Sequence, residues 1–186
     1  MMNDIKTDRL IIHPANIEFT DQVLDYYVRN REFFSFAEPY HPDSYYTIDS
    51  IRETLAVESV KMYKNAGCYF YAALKDEPDK IIFSASFANL RGKPYFSTIF
   101  GYDLDEKYQR HGYATEACKA TIEALLKNLR IHRIEARVLL DNQKSINILE
   151  NLGFEKEGIE KQGIYIKGQF QDHIRYAYIN KDFTMY

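Results

Sequence analysis

At 186 residues the chain has the length of a single domain spanning residues 1–186 and can bury a sizeable core; 46% hydrophobic and 27% charged residues place it among ordinary globular proteins. A net charge of -3 offers no broad basic face for neutralising phosphates, so nucleic-acid binding is not expected. The opening residues MMNDIK lack the apolar run of a signal peptide, and the longest apolar stretch, Cys68 to Leu74, falls far short of the ~20 residues needed to span a bilayer, so a cytoplasmic protein away from membranes is expected.

Arg9 to His13 reads as a first strand stopped by Pro14, which has no N–H for a sheet ladder. From Ile17 to Asn30, apolar residues at Val23, Leu24, Tyr27 and Val28 predict a helix packing that face on a sheet. The stretch from Phe33 to Pro42 has aromatics in neither period and two prolines, and reads as an ordered loop. It is either a wall of a binding pocket, where aromatic faces attract an ammonium group and Glu38 orients it or takes its proton through water, or a lid on the core.

Thr47 and its neighbours supply capping residues for a helix with Ile48, Ile51, Leu55 and Met62 inward, ending before Gly67. A meander of three antiparallel strands follows: Tyr69 to Leu74, a turn over Lys75 to Lys80, Ile81 to Asn89, a turn over Arg91 to Pro94, and Tyr95 to Leu104.

After the loop Gln109-Arg110-His111-Gly112-Tyr113-Ala114, the residues Ala114, Ala117, Cys118, Thr121, Ile122, Leu125 and Leu129 mark one buried helix face. A helix start leaves about four N–H groups without intrahelical partners and carries part of a positive charge, which makes it an anion site. Gly112 lets a ligand approach the backbone, and Gln109, Arg110 and His111 add side-chain donors. On the residues alone this is either an ordinary strand-to-helix turn or a cradle for a ligand such as a pyrophosphate.

Ile134, Ala136, Val138 and Leu140 alternate with charged residues as a half-buried strand. Asp141 or Asn142 caps a short helix with Ile146, Leu149 and Leu152 inward and Gly153 as its left-handed terminator. A right-handed crossover makes the Tyr95 and Ile134 strands parallel and brings both helix starts to one sheet edge. Phe154 to Gly158 and Ile174 to Ile179 finish as strands, with Gly163 to Gln171 a hairpin or flexible loop. The fold expected is α/β (α+β), a mixed sheet of about seven strands flanked by helices. Two cysteines, Cys68 and Cys118, read as core residues, and five scattered histidines lack ligand spacing, so no metal is expected.

Gln-x-x-Gly-x-Ala after a strand ending in Gly-Tyr resembles the acetyl-CoA pyrophosphate loop of the GNAT superfamily of N-acetyltransferases. Asn142-Gln-Lys-Ser145, with Gly153-Phe154, resembles the Asn-x-x-Ser helix and Gly-Phe ending of the branch that acetylates ribosomal-protein N-termini. Thr7-Asp8-Arg9-Leu10 is similar to that branch's first strand, and the likeness covers residue 7 to about 180.

The resemblance implies an acetyl-CoA-dependent N-acetyltransferase whose parallel strands splay apart. Cofactor contacts would come from Tyr102, Asp103, Leu104, Gln109, Arg110, His111, Gly112, Tyr113, Ala114, Asn142 and Ser145. The amine would attack the thioester directly, its oxyanion stabilised by free N–H groups at the splay. Ser145 is the general acid that the resemblance implies for the departing thiolate, and the plain alternative is an ordinary first-turn serine.

Relatives often carry a glutamate before the Gly-Tyr pair, where this chain has Ser97-Thr98-Ile99-Phe100. The base is left open among Glu38, His41, Glu116 and water, with Glu116 better read as a brace of its helix; Tyr102 and Tyr165 are candidate substrate donors. The acceptor expected is a primary amine, most simply a ribosomal protein N-terminus. A small amine, or a CoA-binding module without turnover, is the alternative, in a monomer or homodimer.

Overall fold

The structure, a computed structural model, describes residues 2–185. In chain order the elements are β1 (Ile5–Lys6), β2 (Leu10–Pro14), α1 (Thr20–Arg29), α2 (Arg31–Phe34), α3 (Ile48–Tyr63), β3 (Cys68–Leu74), β4 (Glu77–Arg91), β5 (Ser97–Leu104), α4 (Tyr113–Asn128), β6 (Arg133–Leu139), α5 (Gln143–Asn151), β7 (Glu155–Ile166) and β8 (Gln169–Ile179). They form one eight-stranded sheet in the order β1-β2-β3-β4-β5-β6-β8-β7. Every neighbouring pair is antiparallel except β5 and β6. The about seven strands expected become eight because Ile5–Lys6, too short to leave a periodic signal, pairs with Ile11 and Ile12.

Helices cover both faces. Val23, Tyr26, Phe34, Ile51 and Leu55 pack with Tyr71, Ala73 and Ile81 on one side. On the other, Ala117, Cys118, Ile122, Leu125, Ile146 and Leu149 pack with Phe70, Ala72, Phe87, Phe100 and Val138. Residues 70 to 73 of β3 therefore alternate between two cores, and a strand buried on both faces reads as a continuous apolar run. Cys68 and Cys118 are both buried. No helix among the described residues is long and apolar enough to cross a membrane.

Several element boundaries and faces differ from expectation. In α1 the buried residues are Thr20, Val23 and Tyr26, and Leu24 and Tyr27 pack against the same core as expected, whereas Val28 is 51% exposed. The run Tyr26-Tyr27-Val28 is apolar throughout, so its period is ambiguous; the phase is decided by Tyr26, whose hydroxyl donates to the Asp103 carbonyl at 3.0 Å. The supposed loop from Phe33 begins inside α2, a single turn too short to show a period, with Phe34 buried. The turn expected over Lys75 to Lys80 shrinks to residues 75–76, since Glu77 already pairs with Leu74.

The strand expected from Tyr95 starts at Ser97. Tyr95 is exposed, and Phe96 takes a left-handed φ of 45° that aims its carbonyl at the amides of His132 and Arg133. Leu140 likewise falls outside β6 and is exposed.

Of the two readings for Gly163 to Gln171 the structure takes the hairpin, part of a long β7–β8 pair closed at residues 167–168. Lys167 and Gly168 both have positive φ, 50° and 81°, the backbone of a two-residue I′ turn. A lysine at its first position hid that signal, since asparagine or aspartate is the usual residue there. Upstream, a register shift between Glu160 and Ile164 broke the alternation of β7.

The burial difference within α3 is directly checkable, because Ile48 is 43% exposed and Leu55 is fully buried. Leu55→Ala is expected to lower stability in urea unfolding by about 2–5 kcal/mol, and Ile48→Ala by no more than about 0.5 kcal/mol. Equal losses would refute the placement of this helix face.

Candidate active site

The site begins where the one parallel pair ends. β5 and β6 pair from Ser97 with Arg133 up to Phe100 with Ala136, and there the pairing stops. Beyond that point β5 stays bound to β4 as far as Leu104, and β6 stays bound to β8 as far as Leu139. Each is held by its other neighbour, so the edges from Gly101 and Arg137 onward diverge and their facing backbone groups have no ladder partner. The resulting wedge opens into a cavity of about 940 Å³. Tyr102, Asp103, Gln109, Gly112 and Ser145 lie on its wall together with Phe36 and Glu38.

At one end lies the start of α4. Gly112 is its N-cap residue, with φ of 80° and no side-chain cap, so the first N–H groups of this helix have only their own backbone ahead of them. A Cβ at Gly112 would sit 3.4 Å from an Arg9 nitrogen in a conformation that L side chains rarely adopt. Arg9 braces the loop from below: Nη1 donates to the His111 carbonyl at 2.8 Å and Nε donates to Glu116 at 2.7 Å. Its guanidinium also lies 4.4 Å from the Tyr113 ring centre.

Glu116 additionally accepts from the Thr7 hydroxyl at 2.6 Å and the Arg9 amide at 3.0 Å. Burial opposes its ionisation, but these hydrogen bonds and the Arg9 charge outweigh it and hold the carboxyl below its usual range. Such a saturated carboxylate is a brace and drops out as a base. An uncapped helix start, a left-handed glycine and nearby Arg110 and Lys144 fit a diphosphate. Lys144 Nζ donates to Gln109 Oε1 at 2.7 Å, tying the start of α5 to this loop.

The start of α5 is capped, by Asn142, whose side chain accepts from the Ser145 amide at 3.2 Å. That bond fixes Ser145 on the first turn, where the Tyr102 hydroxyl donates to its Oγ at 3.0 Å. Burial, followed by the neighbouring Cys118, pushes the Tyr102 hydroxyl well above its ordinary value, with Ser145 acting the other way. Tyr102 therefore stays protonated and remains the donor, which leaves the Ser145 hydrogen free to point elsewhere.

Across the wedge, Glu38 and Asp103 face each other as a carboxyl pair. Burial first, and the Asp103 charge second, raise Glu38 far above the carboxylate range; burial raises Asp103, offset by the hydrogen bond from Glu38. The two carboxyls titrate as one coupled pair, which holds a shared proton above the ordinary carboxylate range and so carries one negative charge. His41, with Nε2 3.8 Å from Glu38, is held below its ordinary value by burial.

Residues 9–155 match the Acetyltransferase (GNAT) domain family. The chain belongs to the GNAT acetyltransferases. It is 32% identical over 181 residues to the ribosomal protein uS5-alanine N-acetyltransferase of Escherichia coli, covering 97% of this chain and 92% of that protein. The crystal structure of ribosomal-protein-S5-alanine acetyltransferase from Vibrio fischeri superimposes with a TM-score of 0.93 at 30% identity, over 97% of this chain and 98% of that one. A ribosomal L7/L12 α-N-protein acetyltransferase in complex with coenzyme A shares the fold, with a TM-score of 0.85 at 19% identity over 95% and 97% of the two chains. The protein is thus an acetyl-CoA-dependent N-acetyltransferase.

In this GNAT frame most of the residues picked out by sequence meet at one cavity. Tyr102, Asp103, Leu104, Gln109, Arg110, Gly112, Ala114, Asn142, Ser145 and Glu38 all line it. His111 and Tyr113 stand apart from the wall, stacked on each other at 5.6 Å. Tyr165 is 53% exposed and packs edge-on against Phe170. Sequence reasoning missed Arg9 as the brace of the loop, although the Thr7-Asp8-Arg9 stretch held the signal. Asp103 was expected only as a cofactor contact, because its carboxylate lies after the Gly-Tyr pair and not before it. Among the described residues no group of His, Cys, Asp and Glu is arranged to hold a metal ion.

Gly112→Val places a β-branched side chain at a positive φ in the diphosphate cradle. Titration calorimetry is expected to show coenzyme A affinity falling at least about tenfold, equivalent to about 1.4 kcal/mol. An unchanged affinity would remove the α4 start from the binding site.

Proposed function

We propose that this N-acetyltransferase acts on the α-amino group of a protein N-terminus, most simply that of a ribosomal protein. The full-length likeness to enzymes named for ribosomal proteins supports the acceptor class. The observation that carries the chemistry is the wedge beyond Phe100, with a helix start on one side and a carboxyl pair on the other. The same reading makes the enzyme cytoplasmic, where newly made ribosomal proteins are found.

Coenzyme A lies with its diphosphate on the α4 start, held by backbone N–H groups from Gly112 onward and by Gln109 and Arg110. Its pantetheine arm runs along Tyr102, Asp103 and Leu104, whose backbone faces the wedge unpaired on that side. The thioester then sits between the diverging strands, and backbone N–H groups there receive the oxyanion as the amine attacks.

The acceptor arrives as an ammonium ion, drawn by the single negative charge of the Glu38–Asp103 pair and by the faces of Phe33 and Phe36. The pair takes one proton, leaving a neutral amine that attacks the thioester carbon. As the C–S bond breaks, Ser145 gives its hydrogen to the sulfur while Tyr102 donates to the Ser145 oxygen.

Ser145→Ala is expected to lower kcat by about 10²-fold or more, with coenzyme A affinity by calorimetry close to wild type; undiminished turnover would exclude the general-acid role. Because both carboxyls are raised, kcat/KM toward an N-terminal alanine peptide is expected to climb with pH through a limb above the ordinary carboxylate range, as the pair loses the proton that would block acceptance. A limb in the ordinary range, or full activity in Glu38→Gln, would remove the pair from the mechanism. Acetylation of small amines in preference to every N-terminal peptide of a panel would refute the acceptor class.

A further inference from the structure

His173 lines the same cavity, is 3% exposed, and has no part in the steps above. It sits on β8 between Leu139 of β6 and Glu160 of β7. Arg137 and Arg175 lie two register positions along on β6 and β8, and Asp172 and Lys161 are chain neighbours of His173 and Glu160 on β8 and β7. The residues next to it along β8 alternate in direction: Ile174 and Tyr176 enter the core beneath α4 and α5. His173 therefore points to the opposite face of the sheet, the face of α1, on which Tyr26 meets Ser84.

One contact fixes the ring. Nδ1 lies 3.0 Å from the Gln171 carbonyl oxygen. A carbonyl only accepts, so Nδ1 is the donor of this contact and Nε2 is left as the nitrogen that can exchange a proton with the cavity. Among the described residues Nε2 has no hydrogen-bond partner. A buried histidine whose orientation is fixed by one nitrogen and whose other nitrogen is a free acceptor at a cavity wall is the arrangement of a base held by a backbone carbonyl.

The reaction has a place for it. An ammonium acceptor that becomes an amide loses two protons from its nitrogen. The first must leave before attack, and the Glu38–Asp103 pair receives it. The second must leave afterwards, because the nitrogen of the tetrahedral adduct is again positively charged. Ser145 still carries its own hydrogen until the C–S bond breaks, so a proton leaving the nitrogen as the adduct collapses needs another acceptor.

We propose that His173 Nε2 accepts the second proton, the one lost by the nitrogen as the tetrahedral adduct collapses. This role rests on the reaction proposed above. The C–N bond forms, the C–S bond breaks with its electron pair on sulfur, and the sulfur takes the Ser145 hydrogen. The nitrogen proton passes to His173; after the products leave, His173 and the Glu38–Asp103 pair each release a proton to solvent and Ser145 regains one. The net result is one amide, one thiol and one proton released.

The test uses the whole enzyme with acetyl-CoA and an N-terminal alanine peptide. His173→Ala is expected to lose about 10²-fold or more in kcat with little change in KM for acetyl-CoA, and added imidazole is expected to restore part of the lost turnover. A purely structural role would leave imidazole without effect, and that result overturns the proposal. His173→Gln can still donate to the Gln171 carbonyl but cannot carry a proton onward. It is expected to bind coenzyme A normally and to turn over as slowly as His173→Ala, so wild-type kcat in this variant would also overturn the role, including where His173→Ala fails to fold. A wild-type enzyme inert toward all peptides would sink the acceptor reading itself, whereas an active wild type beside an equally active His173→Gln sinks only the part given to His173.

Discussion

The early end of the single parallel strand pair is the constraint on which the site depends. β5 and β6 share only the stretch from Ser97 to Phe100 on one and Arg133 to Ala136 on the other. Each strand then follows its antiparallel partner, β4 or β8, and the twist of the sheet separates them. Unpaired backbone N–H and C=O groups are costly unless something satisfies them. Here they line a cavity that a thioester and its extended arm can enter. The backbone thus supplies the binding surface, and side chains have only to direct charge and protons.

The two helix starts beside the wedge are built for different tasks. α5 is capped by Asn142, whose side-chain oxygen accepts from the Ser145 amide and holds Ser145 rigidly under Tyr102. α4 begins on a left-handed glycine without a side-chain cap, leaving its donors for an anion. The rigidity that this open start needs comes from another element. Arg9, at the edge of β2, clamps the His111 carbonyl and Glu116, and Thr7 completes the clamp. A site assembled from residues more than a hundred positions apart is in this way as fixed as a local turn.

Electrostatically the cavity is divided. The α4 end gathers helix-dipole charge, Arg110 and Lys144, which suit phosphates. The far end holds Glu38 and Asp103, which suit an ammonium group. The hairpin of β7 and β8 closes over this second half, with Lys167 placed 5.5 Å from the Phe36 ring centre. The two ends of the cavity thereby suit groups of opposite charge.

Much of this was legible in the residues. The alternation of the strands, the helical period from Ala114 to Leu125, Asn142 as a cap and Gly153 as a left-handed terminator at φ of 85° are local consequences of residue type. Locality is what makes them readable. The right-handed crossover added the parallel pair and the meeting of two helix starts. What only the tertiary structure decided are relations between distant segments. Glu38 and Asp103 become one titrating unit because a loop after α2 folds over the end of β5, and each alone is an ordinary acidic residue. Arg9 becomes part of the anion cradle only when β2 lies beneath α4. His173 acquires a fixed ring orientation from the Gln171 carbonyl and a cavity wall from a hairpin that the residues alone read as a hairpin or a flexible loop. Period and propensity act over a few residues, whereas burial and Coulomb coupling act across space, so the chain spells out its elements while packing determines which charges meet.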